Sequence, residues 1–192
     1  MKNVSSNVRR LTTLALLAAV AVVLVAIIHF PLLPAAPFLE YDPADIPIFI
    51  GTFLFGPAAG FALTAVVCVL QGLTVSVQSG VIGIVMHLLA TGSYVLVAGN
   101  VYRKRRTRKA AVAALVLGTL TWTAVMCVWN LVFTPIFMGS SVQDVMEMLL
   151  PVIVPFNLIK AGVNSVVTFL VYKPISRVIF GEKTGEKTEK AT

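Results

Sequence analysis

Six apolar runs divide this chain, and every lysine and arginine but Lys160 falls outside them. The runs cover about Leu11 to Ile28, Asp45 to Phe55, Pro57 to Val75, Val81 to Tyr102, Ala110 to Phe133 and Pro151 to Tyr172. Long stretches with almost no charge belong in hydrocarbon, where only a helix or a closed barrel can satisfy its own backbone. Hydrophobic residues make up 58% of the chain and charged ones 12%. The predicted class is therefore an all-α integral membrane protein.

The second run has only eleven residues, and joining it to the third would leave five crossings. Charge argues for six. Lys2, Arg9 and Arg10, the run Arg103 to Lys109, and Lys173, Arg177, Lys183, Lys187 and Lys190 all fall on one side if the chain turns at Gly56-Pro57. By the positive-inside rule that side is cytoplasmic, together with both termini. Glu40, Asp42 and Asp45 then lie in the first outer loop, and Asp144 and Glu147 in the last. The expected organisation is one six-helix domain over residues 1–180 and a disordered cytoplasmic tail over 181–192. The first run follows Arg9 and Arg10 as a signal peptide would, yet it leads into Pro31-Leu32-Leu33-Pro34 rather than a small-residue cleavage site, so it reads as a retained span. A net charge of +7 is accounted for by this topology, with the basic turns near anionic lipid, and nucleic-acid binding is not expected. Cys68 and Cys127 lie in apolar runs without metal-ligand spacing and read as small core residues.

Lys160 is the exception that points to function. On a helix, Asn157, Lys160 and Asn164 share one stripe, while Leu158, Ile159 and Val163 point elsewhere. Lys160 lies nine residues past Pro151, roughly 13 Å along a helix axis, too deep for easy snorkelling to the interface. An ionisable group at that depth faces a bundle interior or a wet cavity and marks a candidate site. Asn130, near the end of the fifth run, falls in the same outer half. Two amides and an ammonium thus converge beneath the first outer loop, and an amide's paired donor and acceptor suit an imide-like ring edge. Gln71 and Gln78 are secondary candidates. Trp122, Trp129 and Phe156 offer stacking surface, or, for the tryptophans, an interfacial belt.

The first outer loop, residues 29–47, holds five prolines yet is rich in apolar side chains, so it reads as an ordered lid whose Phe38, Leu39 and Tyr41 cover something. Asp45 or Asp42 is expected to cap the next helix, Asp45 first because Pro47 follows two residues on. The last outer loop reads as a short amphipathic helix capped by Ser140 or Ser141, lying on the membrane or over the same site. Enzyme chemistry finds no support: there is no phosphate-binding Gly-rich loop, no His-Glu-x-x-His pair and no serine with a base partner. Neither catalytic residues, a metal nor a cofactor is expected, and His87 reads as a satisfied packing histidine rather than a ligand.

The segments Phe38-Leu39-Glu40-Tyr41-Asp42-Pro43-Ala44-Asp45-Ile46-Pro47, Phe55-Gly56-Pro57 and Pro155-Phe156-Asn157-Leu158-Ile159-Lys160 together carry a resemblance. The chain, from its first run to Tyr172, resembles the riboflavin-specific branch of the substrate-binding (S) components of energy-coupling factor (ECF) transporters. The resemblance implies six membrane helices in the cell membrane and riboflavin bound in the outer half as cargo. It implies that Asn130, Asn157 and Lys160 contact the flavin, with Leu39 and its neighbours Phe38 and Tyr41 closing over it; Asn164 and Gln71 complete the candidate set. It implies as partners a transmembrane coupling subunit and two cytoplasmic ATPase subunits. Ala15 and Ala19, spaced i, i+4 on the first helix, match the family's small-residue docking motif, a spacing that lets another helix approach closely. An S component for another vitamin and a scaffold subunit that binds no small molecule are the alternatives.

Overall fold

The computed structural model describes residues 2–34 and 36–180, so the tail expected over 181–192 lies outside the described residues. The protein is mostly helical: α1 (Lys2–Ile27), α2 (Asp45–Phe55), α3 (Pro57–Leu73), α4 (Gly80–Arg105), α5 (Arg108–Met138), α6 (Val142–Met148) and α7 (Val154–Phe180). A two-residue hairpin pairs β1 (Phe30–Pro31) with β2 (Glu40–Tyr41) antiparallel inside the first loop. Four helical segments are long and apolar enough to cross a membrane: Ser6–Ile27, Val77–Arg105, Arg108–Met138 and Val142–Phe180. The two shorter apolar helices are α2 and α3.

The break between α2 and α3 is local chemistry. Gly56 takes φ 91°, a conformation that L side chains rarely adopt, and Pro57 starts the next helix where its missing N–H costs nothing. The two helices then fold against each other so closely that a Cβ on Gly60 would collide with the Thr52 side chain. Gly60→Leu is accordingly expected to destabilise the protein by about 1–3 kcal/mol through overpacking. A lowered thermal unfolding midpoint in detergent would show it, and an unchanged midpoint would contradict the contact.

The α1 helix belongs to the bundle, with Leu17, Ala18, Ala21 and Val25 in one core with Ile48, Phe49 and Phe53 of α2 and Tyr94 and Val95 of α4. Phe49 stacks on Tyr94 with ring centres 3.7 Å apart. The charges sort to opposite ends. Arg9 lies over Phe180 and Arg10 over Phe55, at 4.9 and 5.9 Å, while Phe53 stacks on Tyr102 and meets Tyr172 edge-on. These contacts gather the start of α1 and the ends of α2, α4 and α7 at one basic end. The α4–α5 turn joins it, with Arg106 in the left-handed conformation and Thr107 capping α5 through the Ala110 N–H.

At the other end, Ser141 caps α6 in a reciprocal box with Asp144. A π-helical segment, Leu149–Ile153, carries α6 directly into α7 around Pro151. This places Met148, at the end of α6, and Val152 against a cluster formed by Ala36 and Leu39 of the loop and Phe156 of α7.

Candidate functional site

The stripe on α7 faces inward. Asn157 and Asn164 are buried and Lys160 nearly so, whereas Leu158, Ile159 and Val163 are exposed on the outer face. The first outer loop descends to meet the stripe. Lys160 Nζ donates to Asp42 Oδ2 at 2.7 Å and to the Glu40 carbonyl at 3.1 Å, with the two side chains 13% and 12% exposed. Asn164 Nδ2 donates to the Asp42 carbonyl and to Asp45 Oδ2, and its Oδ1 accepts from the Tyr41 hydroxyl at 3.0 Å. Burial, and then the neighbouring Asp42 carboxylate, push the Tyr41 phenol above its ordinary value, so it remains a donor.

One expectation is corrected here. Asp45 does not cap α2, which shows no side-chain cap bond; its fully buried carboxylate instead accepts from Thr91 Oγ1 at 2.7 Å and lies 3.2 Å from His87 Nε2. A carboxylate sealed in the interior needs donors on several sides, and α4 and α7 supply them. His87 is satisfied by this contact with Asp45, and it also lines the cavity described next. Asp42, Asp45 and His87 are the site residues that the sequence reading missed. The available signal was the Asp-x-x-Asp spacing just before an apolar run, in a chain with one lysine at membrane depth, since charges in such surroundings must find each other.

Beneath the loop lies a cavity of about 200 Å³. Phe38, Leu39, Glu40 and Asp42 cover it; Cys68, Gln71 and His87 line it from α3 and α4; Trp122, Met126 and Asn130 from α5; Phe156, Asn157 and Lys160 from α7. Asn157 is held by two bonds, accepting from Trp122 Nε1 and donating to the Ile153 carbonyl, each at 2.8 Å. Asn130 donates to the Met126 carbonyl and accepts from Thr134 Oγ1. An amide group carries two N–H donors and two acceptor lone pairs, so each retains one of both kinds on a fixed frame. Trp122 is buried in this wall rather than placed in an interfacial belt, because its N–H positions Asn157.

Of the eight candidate binding residues, Asn130, Asn157, Lys160, Leu39, Phe38 and Gln71 line the cavity together. Tyr41 and Asn164 do not: their polar groups are consumed by each other and by the loop, which makes them loop anchors. Gln78 and Trp129 also lie off the cavity wall. Ala15 and Ala19 are exposed on α1, on the face opposite buried Leu17, Ala18 and Ala21.

The arrangement has relatives. The family model for the ECF transporter, substrate-specific component, matches residues 9–172. The chain is 32% identical over 183 residues to riboflavin transporter RibU of Staphylococcus aureus (strain TCH60), covering 92% of this chain and 95% of that one. It is 29% identical over 174 residues to riboflavin transporter FmnP of Bacillus subtilis (strain 168), covering 86% and 91%. A solved structure described as "Structure and mechanism of the S component of a bacterial ECF transporter" superposes with a TM-score of 0.78 at 32% identity, covering 91% of this chain and 99% of that one. With a family model spanning nearly all of its described residues and a solved S component sharing its fold, the chain belongs to the substrate-specific components of ECF transporters.

Proposed function

We propose that this chain is the riboflavin-binding S component of an ECF-type importer in the cell membrane. Riboflavin enters from outside beneath the residue 29–47 loop and occupies the cavity. Its uptake is driven by ATP hydrolysis in two cytoplasmic ATPase subunits, transmitted through a transmembrane coupling subunit. The observation that carries this reading is the α5–α7 wall: two buried amides, Asn130 and Asn157, each with a spare donor and acceptor, beside the faces of Trp122 and Phe156. A flavin's pyrimidinedione edge alternates carbonyl acceptors with an N–H donor, the complement of such amides, and its flat tricyclic body suits aromatic walls. The relatives named as riboflavin transporters support the same ligand. The cavity is smaller than the roughly 300–1,000 Å³ of most ligand pockets, and outward movement of the Phe38–Leu39 loop would enlarge it.

The bundle crosses the membrane six times with both termini cytoplasmic. The α2 helix is short, about 16 Å for its 11 residues, because its first residue already lies at the depth of Asn164 and His87. A cysteine at Thr107 should react with an impermeant thiol reagent only from the cytoplasm, and one at Ser141 only from outside, in a background lacking Cys68 and Cys127. Labelling of both from one side would refute this topology.

The functional reading is tested by the absorption spectrum of the purified protein. Preparations from riboflavin-fed cells should be yellow and carry one flavin per chain. A colourless preparation that takes up no added riboflavin would overturn the riboflavin reading, leaving an S component for another vitamin or a scaffold.

A further inference from the structure

Among the described residues, Gln71 Nε2 is the buried side-chain nitrogen that has no hydrogen-bond partner. Gln71 is 4% exposed and lines the cavity from α3, across from the amides of α5 and α7. A buried amide N–H left unmade costs about 1–3 kcal/mol, so a fold that keeps one beside a cavity is holding a donor ready for something that enters. The chain near Gln71 is built to hold it in place: the Gln71 carbonyl accepts from both the Thr74 and Ser76 N–H groups, closing α3 in a tight turn. That turn brings Ser76 and Ser79 to the same wall as Gln71.

The two walls thus differ in chemistry. The α5–α7 wall presents aromatic faces and rigid amides, which match a flat ring with an imide edge. The α3–α4 wall presents the Gln71 amide and the Ser76 and Ser79 hydroxyls beside the aliphatic side chains of Ile82, Ile84 and Met86, with Gly72 and Gly83 adding no side-chain bulk. A row of hydrogen-bonding groups without a broad flat surface matches a flexible chain of hydroxyls rather than a ring.

Resting on the riboflavin reading above, we infer that the α3–α4 wall is a polyol subsite in which Gln71 Nε2 donates to a hydroxyl oxygen of the ribityl chain. Gln71 therefore determines specificity for the side chain of the flavin and not for its ring.

The test compares riboflavin with lumiflavin, which has the same ring system but a methyl group in place of the ribityl chain. Binding of both is measured by flavin fluorescence quenching in detergent for the parent, Gln71→Leu and Gln71→Met, with thermal unfolding of each protein recorded. The expected result is that both variants bind riboflavin about tenfold more weakly, the equivalent of one lost hydrogen bond, while lumiflavin affinity is unchanged. Unchanged lumiflavin binding also shows that the pocket has folded. Equal weakening of both flavins in either variant at a parental unfolding midpoint would place Gln71 against the ring and overturn the inference, as would parental binding of both. Should the leucine variant fail to fold, the methionine variant, close to glutamine in length and shape, decides alone. A parent that binds neither flavin refutes the riboflavin reading itself, which is a separate outcome.

Discussion

Lys160→Met is expected to weaken riboflavin binding by about 2–4 kcal/mol, the larger part of it through the lid. The ammonium ties Asp42 and the Glu40 carbonyl to α7, and methionine leaves the Asp42 carboxylate in a largely desolvated position without its partner. Removing one member of such a pair costs more than the pair contributes, because the remaining charge is stranded. The loop would then open, taking Phe38 and Leu39 off the cavity. Asn157→Ala, which removes an amide but leaves the latch, is expected to cost about 1–3 kcal/mol. The double variant Lys160→Met/Asp42→Asn separates the two contributions: it should bind better than Lys160→Met alone, since no unpaired charge remains. Fluorescence quenching titrations measure all three. Parental affinity in both Lys160→Met and Asn157→Ala would mean that the polar stripe is not the site.

Replacing both Ala15 and Ala19 with tryptophan is expected to abolish riboflavin uptake while leaving binding intact. Both residues are exposed on α1, in the half nearer Arg9 and Arg10, whereas Lys160 and Asn157 lie at the opposite end of the bundle. Small side chains at i and i+4 allow another helix to approach the backbone, and two indoles there would hold it away. In the ATP-driven importer proposed above, the energy for transport reaches this chain through contact with the coupling subunit. Sites this far apart without shared contacts act independently. Binding in detergent and uptake in cells carrying the full complex decide the matter. Loss of both would make the alanines structural, and retention of both would place the coupling surface elsewhere.

Much of this fold is legible in the sequence because hydrophobic run length and the Gly56-Pro57 break are local signals. The α2 helix falls over Asp45–Phe55, where its apolar run lies. The inward stripe of Asn157, Lys160 and Asn164 is equally local, since one helix fixes its spacing. What the sequence hides is pairing between distant elements. Asp45 at a helix start has the appearance of a cap, and only the descent of the loop to the depth of Thr91, His87 and Asn164 turns it into a buried hub. Asn164 and Tyr41 have the right position for ligand contacts, yet they spend their polar groups on each other across 123 residues of sequence. Trp122 reads equally as a belt residue or a wall residue until Asn157 is placed beside it.

The most direct measurement is a titration of riboflavin with the purified parent protein in detergent, followed by quenching of flavin fluorescence. Quenching is expected to saturate at one riboflavin per chain and to persist in the presence of excess thiamine or biotin. Absence of saturable quenching, or its reversal by a vitamin that lacks the flavin ring, would contradict riboflavin as the ligand of this cavity.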